Sequence, residues 1–184
     1  MKIAEADVLF VPGLGGAPAD HWQARWVDRL STARLIEQAE WDTPALEDWV
    51  DAIAREIMMA TRPVVLVGHA LGVAAIVHTA GRLADTKVRG AFLVACPDIE
   101  ENRDAPRETA PFAPMPRDPL PFPSILVASA TDPYCSLERA AEFASAWGSD
   151  FRDAGNAGGI NIESGHGAWP EGSLVFARLM KRLK

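Results

Sequence analysis

Val64-Val65-Leu66-Val67-Gly68-His69-Ala70-Leu71-Gly72 is the stretch whose reading decides the fold. Its first four residues are apolar without a polar break, the pattern of a strand covered on both faces of a parallel sheet. Gly68 and Gly72 then flank a tight turn, and the apolar run that follows predicts a helix over 71–83. Outward from this junction the same alternation repeats. Strands are expected over 8–11, 34–38, 64–67, 90–94, 125–129 and 150–153. Helices are expected over 20–30, 71–83, 137–147 and 173–182, and Leu46, Trp49, Val50, Ile53 and Ile57 mark one apolar helical face between the second and third strands. Thr43-Pro44 reads as that helix's cap and first-turn proline. Strands alternating with helices make parallel βαβ units, with helices on both faces of one sheet.

The chain has 184 residues, 48% hydrophobic and 23% charged, an ordinary globular composition whose length suits one domain, 1–184. Its formal net charge of −7 comes without a Lys/Arg cluster, which argues against nucleic acid or an anionic membrane as partner. Neutral or cationic small ligands suit it better than polyanions. Cys96 and Cys135 match neither a zinc spacing nor a disulfide framework, and no signal-peptide core or membrane-length apolar run is present. The expectation is a cytoplasmic protein that needs no metal or organic cofactor. Residues 97–123 are too rich in proline for a helix or ladder. They form a long loop after a strand, read either as a wall of a pocket or as a rigid surface crossover.

The 64–72 stretch looks like the nucleophile elbow of α/β hydrolases, Gly-x-Ser-x-Gly, in which the glycines let strand and helix approach closely. Its centre here is Ala70, whose methyl group has neither a proton to lose nor a lone pair to attack with. Phe10-Val11-Pro12-Gly13-Leu14-Gly15-Gly16 lacks the Gly-Lys-Ser/Thr of a phosphate loop, and Pro18 spoils a dinucleotide fingerprint. It remains compatible with an oxyanion loop, the N–H donors being Leu14 and Leu71. Asp132, after the fifth strand, stands where an acid would orient a catalytic imidazole, and reads also as a turn aspartate before Pro133. His166 is the histidine of the loop before the last helix, a possible base or a surface-loop residue.

Together, Val11-Pro12-Gly13, His21-Trp22-Gln23, the Gly68–Gly72 turn, the proline-rich 112–124, Asp132-Pro133-Tyr134 and 163–172 resemble the retinoblastoma-binding-protein-9-like family of small, capless α/β serine hydrolases. The resemblance covers nearly the whole chain. It implies a three-layer α/β/α fold with a mainly parallel sheet of about six strands in order 2-1-3-4-5-6. It also implies hydrolysis of small carboxylic esters or amides in a shallow, open pocket. Position 70 is then the nucleophile's and Asp132 the acid. Gly13, Leu14, His69, Leu71 and Trp22 would surround the oxyanion and substrate.

The same resemblance exposes a second departure. The family histidine stands in a Gly-His-Ile-Asn run after the last strand, and this chain has Gly158-Gly159-Ile160-Asn161. Gly159 therefore occupies the base's position. With nucleophile and base both replaced, natural loss of the triad is favoured over a serine replaced by alanine in an otherwise active hydrolase that uses His166. Cys135 is the other candidate nucleophile, though a small packing residue is its ordinary role. His78 reads as helix packing, and no nucleic-acid or membrane partner is implied. The oligomeric state is left open.

Overall fold

The computed structural model describes residues 1–83 and 87–184. A sheet of six strands runs β1 (Asp7–Val11), β2 (Ala33–Leu35), β3 (Val64–His69), β4 (Val88–Val94), β5 (Ser124–Ala128) and β6 (Asp150–Asp153). Their spatial order is β2-β1-β3-β4-β5-β6, and every ladder is parallel. The expected order is thus observed, in a sheet that is wholly rather than mainly parallel. The helices are α1 (Trp22–Arg29), α2 (Leu46–Met59), α3 (Leu71–Ala80), α4 (Leu137–Trp147) and α5 (Pro170–Arg182).

Strand alternation divides the core in two. Leu9, Val11, Leu66, Leu93 and Leu126 face α2, α3 and α4, where Trp49, Ile53, Ile76, Phe143 and Trp147 meet them. Val8, Phe10, Val65, Val67 and Phe92 face the other way, toward Trp22 and Trp26 of α1 and Phe176 and Leu179 of α5. Both faces are therefore apolar, as a sheet covered by helices on each side requires.

Helix ends follow local chemistry. Ser136 Oγ accepts from the Arg139 N–H to start α4, and Gly148, at φ 69°, ends it in the left-handed conformation. The expected Thr43-Pro44 cap of α2 is not formed: Ala45 is the N-cap, without a side-chain bond. Glu40 has taken the Asp42 and Thr43 N–H groups, which holds Thr43 in the preceding turn. The proline-rich segment carries one short 3-10 helix, Arg107–Phe112, tied to α3 by a 2.6 Å bond between His78 Nε2 and the Phe112 carbonyl.

The strand order reverses between β1 and β3. There the loop after β1 and the turn after β3 lie side by side at the carboxyl edge of the sheet, where open α/β folds keep their ligands.

Candidate active site

The turn after β3 is sharp enough to hold a residue out of ordinary backbone space. Ala70 sits at φ 52°, ψ −124°, unusual for a residue with a Cβ, and its N–H is tied to the Val94 carbonyl at 2.9 Å. The flanking glycines are compelled by contact. A Cβ on Gly72 would stand 2.1 Å from the Val11 carbonyl oxygen, and one on Gly68 would meet Ile76 Cδ1 at 2.7 Å. Gly13 is pressed against the turn from the other side, where an added Cβ would lie 3.0 Å from both Ala70 Cβ and the His69 carbonyl. Buried Gln23 fastens α1 to this junction, its amide nitrogen donating to the carbonyls of Val11 and Val67.

These contacts set two donors around Ala70. Leu71 is the first residue of α3, so its N–H lacks an acceptor within the helix. Among the described residues the Leu14 N–H has no hydrogen-bond partner. Gly13, Leu14, His69, Ala70 and Leu71 line one cavity of about 280 Å³, with Pro97, Pro106 and Thr109 of the proline-rich loop on its far side. Leu14, Leu71 and part of the proline-rich loop thus border the same cavity.

A neighbouring cavity of about 460 Å³ shares His69, Ala70, Tyr134 and Asn161 with the first and is lined also by Asp132 and Gly159. Asp132 Oδ1 accepts from the Tyr134 N–H at 2.9 Å. Burial pushes its carboxyl up to about 6, only partly offset by that bond. Gly159, on the same cavity, is held by the loop around it. Ser129 Oγ accepts from the Ala157 N–H and Thr131 Oγ1 from the Gly158 N–H. His69 Nε2 donates to the Gly159 carbonyl at 2.9 Å. Burial holds the His69 imidazole down to about 4, so it is neutral at ordinary pH.

The family model described as "Serine hydrolase" matches residues 8–178. The chain belongs to the serine hydrolase family. The crystal structure of a YdeN-like hydrolase from Pectobacterium atrosepticum aligns at TM-score 0.85 and 34% identity, over 96% of this chain and 91% of that one. The ydeN gene product of B. subtilis aligns at 0.77 and 17% identity, over 96% and 99% of the two chains. An esterase domain from a Rhodothermus marinus protein aligns at 0.68 and 19% identity, over 98% and 88%. No curated protein matches the chain in sequence.

Ala70, Asp132 and Gly159, the positions where the sequence resemblance expects the triad, border one cavity. His166 does not join them. It lines a separate cavity of about 380 Å³ with Arg152, Asp153, Trp169 and Glu171, and its Nδ1 is bonded to Ser164 Oγ at 2.8 Å. The physical reason is the turn before it. Asn161 and Ser164 bond each other reciprocally, Gly165 takes φ 83°, and the His166 N–H closes on the Asn161 carbonyl. Trp22 is also displaced from its expected place. It is fully buried, lines neither cleft cavity, and donates from Nε1 to the Ile160 carbonyl at 3.0 Å, holding the Gly159 loop from beneath.

Cys135 is buried, and burial pushes its thiol up to about 12, so it is a packing residue rather than a ready thiolate. His21, read from the sequence as beginning a helix near the pocket rather than as a chemical group, caps α1 and lines the cleft. Its Nδ1 accepts from the Gln23 N–H at the start of α1, its ring lies 4.8 Å from that of His69, and burial holds it down to about 3. The signal was its position as a helix cap directly after the glycine-rich loop. Among the described residues, no three His, Cys, Asp or Glu side chains are grouped to hold a metal ion. No described helix is long and apolar enough to cross a membrane.

Proposed function

We propose that this chain is a silent member of its family, of the retinoblastoma-binding-protein-9-like kind, that binds a small ester-, amide- or acid-like molecule in the former active site without ordinary turnover. One observation carries this reading. The elbow conformation is kept at Ala70, while the cavity that holds Asp132 has Gly159, with no side chain, where the family's imidazole would stand. In serine proteases, losing the nucleophile costs on the order of 10⁶ in turnover, and the oxyanion hole and binding alone leave about 10³–10⁴ over water. The cradle made by Leu14 and Leu71 therefore supports recognition of a carbonyl or carboxylate oxygen without an acyl-enzyme. The absence of a Lys/Arg cluster and the two buried free thiols support a small-molecule partner and a reducing, cytoplasmic setting.

The test is fluorophosphonate labelling and chromogenic-ester turnover by the unmodified chain, by Ala70→Ser, and by Ala70→Ser with Gly159→His. Label and turnover are expected only in the double variant. Restoration by Ala70→Ser alone would instead favour an active hydrolase with a replaced serine and a mobile His166. Turnover by the unmodified chain would overturn the proposal.

A further inference from the structure

Asp132 faces a space that no protein cation fills. Among the described residues, those lining the two adjoining cavities include neither lysine nor arginine, whereas Glu163 adds a second carboxylate to the larger one. The imidazoles that border the cleft, His21 and His69, are packed ring against ring and neutral. Among the described residues the Asp132 carboxylate has one hydrogen bond, from the Tyr134 N–H. Gly159, which lines the same cavity, offers only backbone, and its carbonyl already accepts from His69. The volume of about 460 Å³ lies within the range of roughly 300–1,000 Å³ typical of small-molecule sites.

A partly buried carboxylate is satisfied best by an opposite charge that also donates hydrogen bonds, and planar N–H groups match its two oxygens. At the other end of the same cleft, the Leu14 and Leu71 N–H groups require an acceptor. The cleft therefore carries an acidic end and a donor end around Ala70.

We propose that the cleft is a binding site for a small organic cation whose planar N–H head, a guanidinium, amidinium or imidazolium, takes the missing histidine's place against Asp132, with a carbonyl or similar acceptor at Leu14 and Leu71. This rests on the reading of the cleft as a ligand pocket and narrows its ligand to one chemical class. It requires no covalent step. Glu163, at the exposed side of the cavity, adds long-range attraction for the same charge.

The experiment titrates methylguanidinium and its neutral isostere methylurea into the isotope-labelled chain at a pH of about 8, where Asp132 is ionised and the probe is fully charged. Methylguanidinium is expected to shift the Tyr134, Gly158 and Gly159 amides saturably, with Kd of about a millimolar for so small a head group. Asp132→Asn, which keeps an acceptor for the Tyr134 N–H, should weaken it about tenfold or more while leaving the fold intact. Methylurea should give no saturable shift at these amides.

Equal binding of methylurea, full binding by Asp132→Asn, or shifts confined to the cavity around His166 would each overturn the inference. The Tyr134 amide locates the site whether or not Gly159→His, which should block the probe, folds well. An unmodified chain that hydrolyses esters would overturn the proposed silence and leave this titration interpretable. An inert chain that ignores methylguanidinium would overturn only the cation site.

Discussion

The two ends of the cleft are built from different materials. Around Ala70 the geometry is made by backbone: Gly13 against the His69 carbonyl, Gly72 against the Val11 carbonyl, and a positive φ at the turn. Around Asp132 it depends on side chains and on a loop that presents only backbone at Gly159. The contrast teaches which parts of the cleft the fold itself imposes. The elbow is also the join between β3 and α3, so relaxing it would unpack the core on both faces. The histidine end is a loop over a cavity, and exchanging one side chain there disturbs little beneath it.

The severest way to break this comparison is at Gly72. Its substitution by alanine forces a Cβ to 2.1 Å from a carbonyl oxygen of β1, and neither backbone can yield without moving a central strand. A loss of about 4 kcal/mol or more is expected, near the upper end for single substitutions, so urea denaturation should find the variant largely unfolded. Gly159→His should be mild by comparison. Its Cβ meets only the side chain of Asn161, 2.8 Å from the amide nitrogen, which can give way at the cost of its bond from the Ser164 N–H. Equal damage from the two would mean that the base end is as tightly built as the elbow.

A smaller effect is expected where the ends are joined. Trp22→Phe removes the indole N–H that holds the Ile160 carbonyl, and this should cost about 1–3 kcal/mol, measured by the urea midpoint, through a buried acceptor left unmet. The loop next to Gly159 should then exchange its amide hydrogens faster than the elbow does.

At Asp132 the sign reverses. Its carboxyl is raised from 3.8 to about 6 in the folded chain, so between those values the unfolded chain has released a proton that the folded chain still holds. Stability contributed by this group is present below the unfolded value and lost as pH rises through about 6. Asp132→Asn should therefore stabilise the protein above that pH by about 1–2 kcal/mol, allowing for solvent at a partly exposed group. The gain should vanish at low pH, which thermal melts across the range would show. A destabilised variant at pH of about 8 would mean that a cation already compensates the carboxylate.

What could be read in the sequence follows the same division. The order of strands, the elbow and the glycine loop were legible because each rests on apolar runs and on glycines whose absence of a side chain is itself the signal, as at Gly68 and Gly72. Asp132 was legible from its place after β5. The directions of His166 and Trp22 were not. His166 is turned away by the closed Asn161–Ser164 turn, and Trp22 is drawn under the loop by a carbonyl far along the chain. Such long-range closures leave no periodicity. Thr43 misled for a local reason, since Glu40 accepts its N–H and holds it in the turn before the helix.

The finest test of the comparison is the strain at Ala70 itself. Holding a residue with a Cβ at positive φ costs about 1–3 kcal/mol, and glycine removes most of that while adding about 0.4–1 kcal/mol of unfolded-chain entropy. Ala70→Gly should therefore stabilise the fold by up to about 1 kcal/mol in urea denaturation, and Ala70→Ser should fall within about 0.5 kcal/mol of the parent. Stabilisation would show that the elbow keeps its strained backbone because the β3–α3 join imposes it, with no nucleophile to benefit. If glycine instead loosens the turn and weakens the Ala70 N–H bond to Val94, the methyl group itself has a packing role, pressed as it is toward Gly13. In that case the elbow, too, depends on a side chain, and the division between its two ends is one of degree.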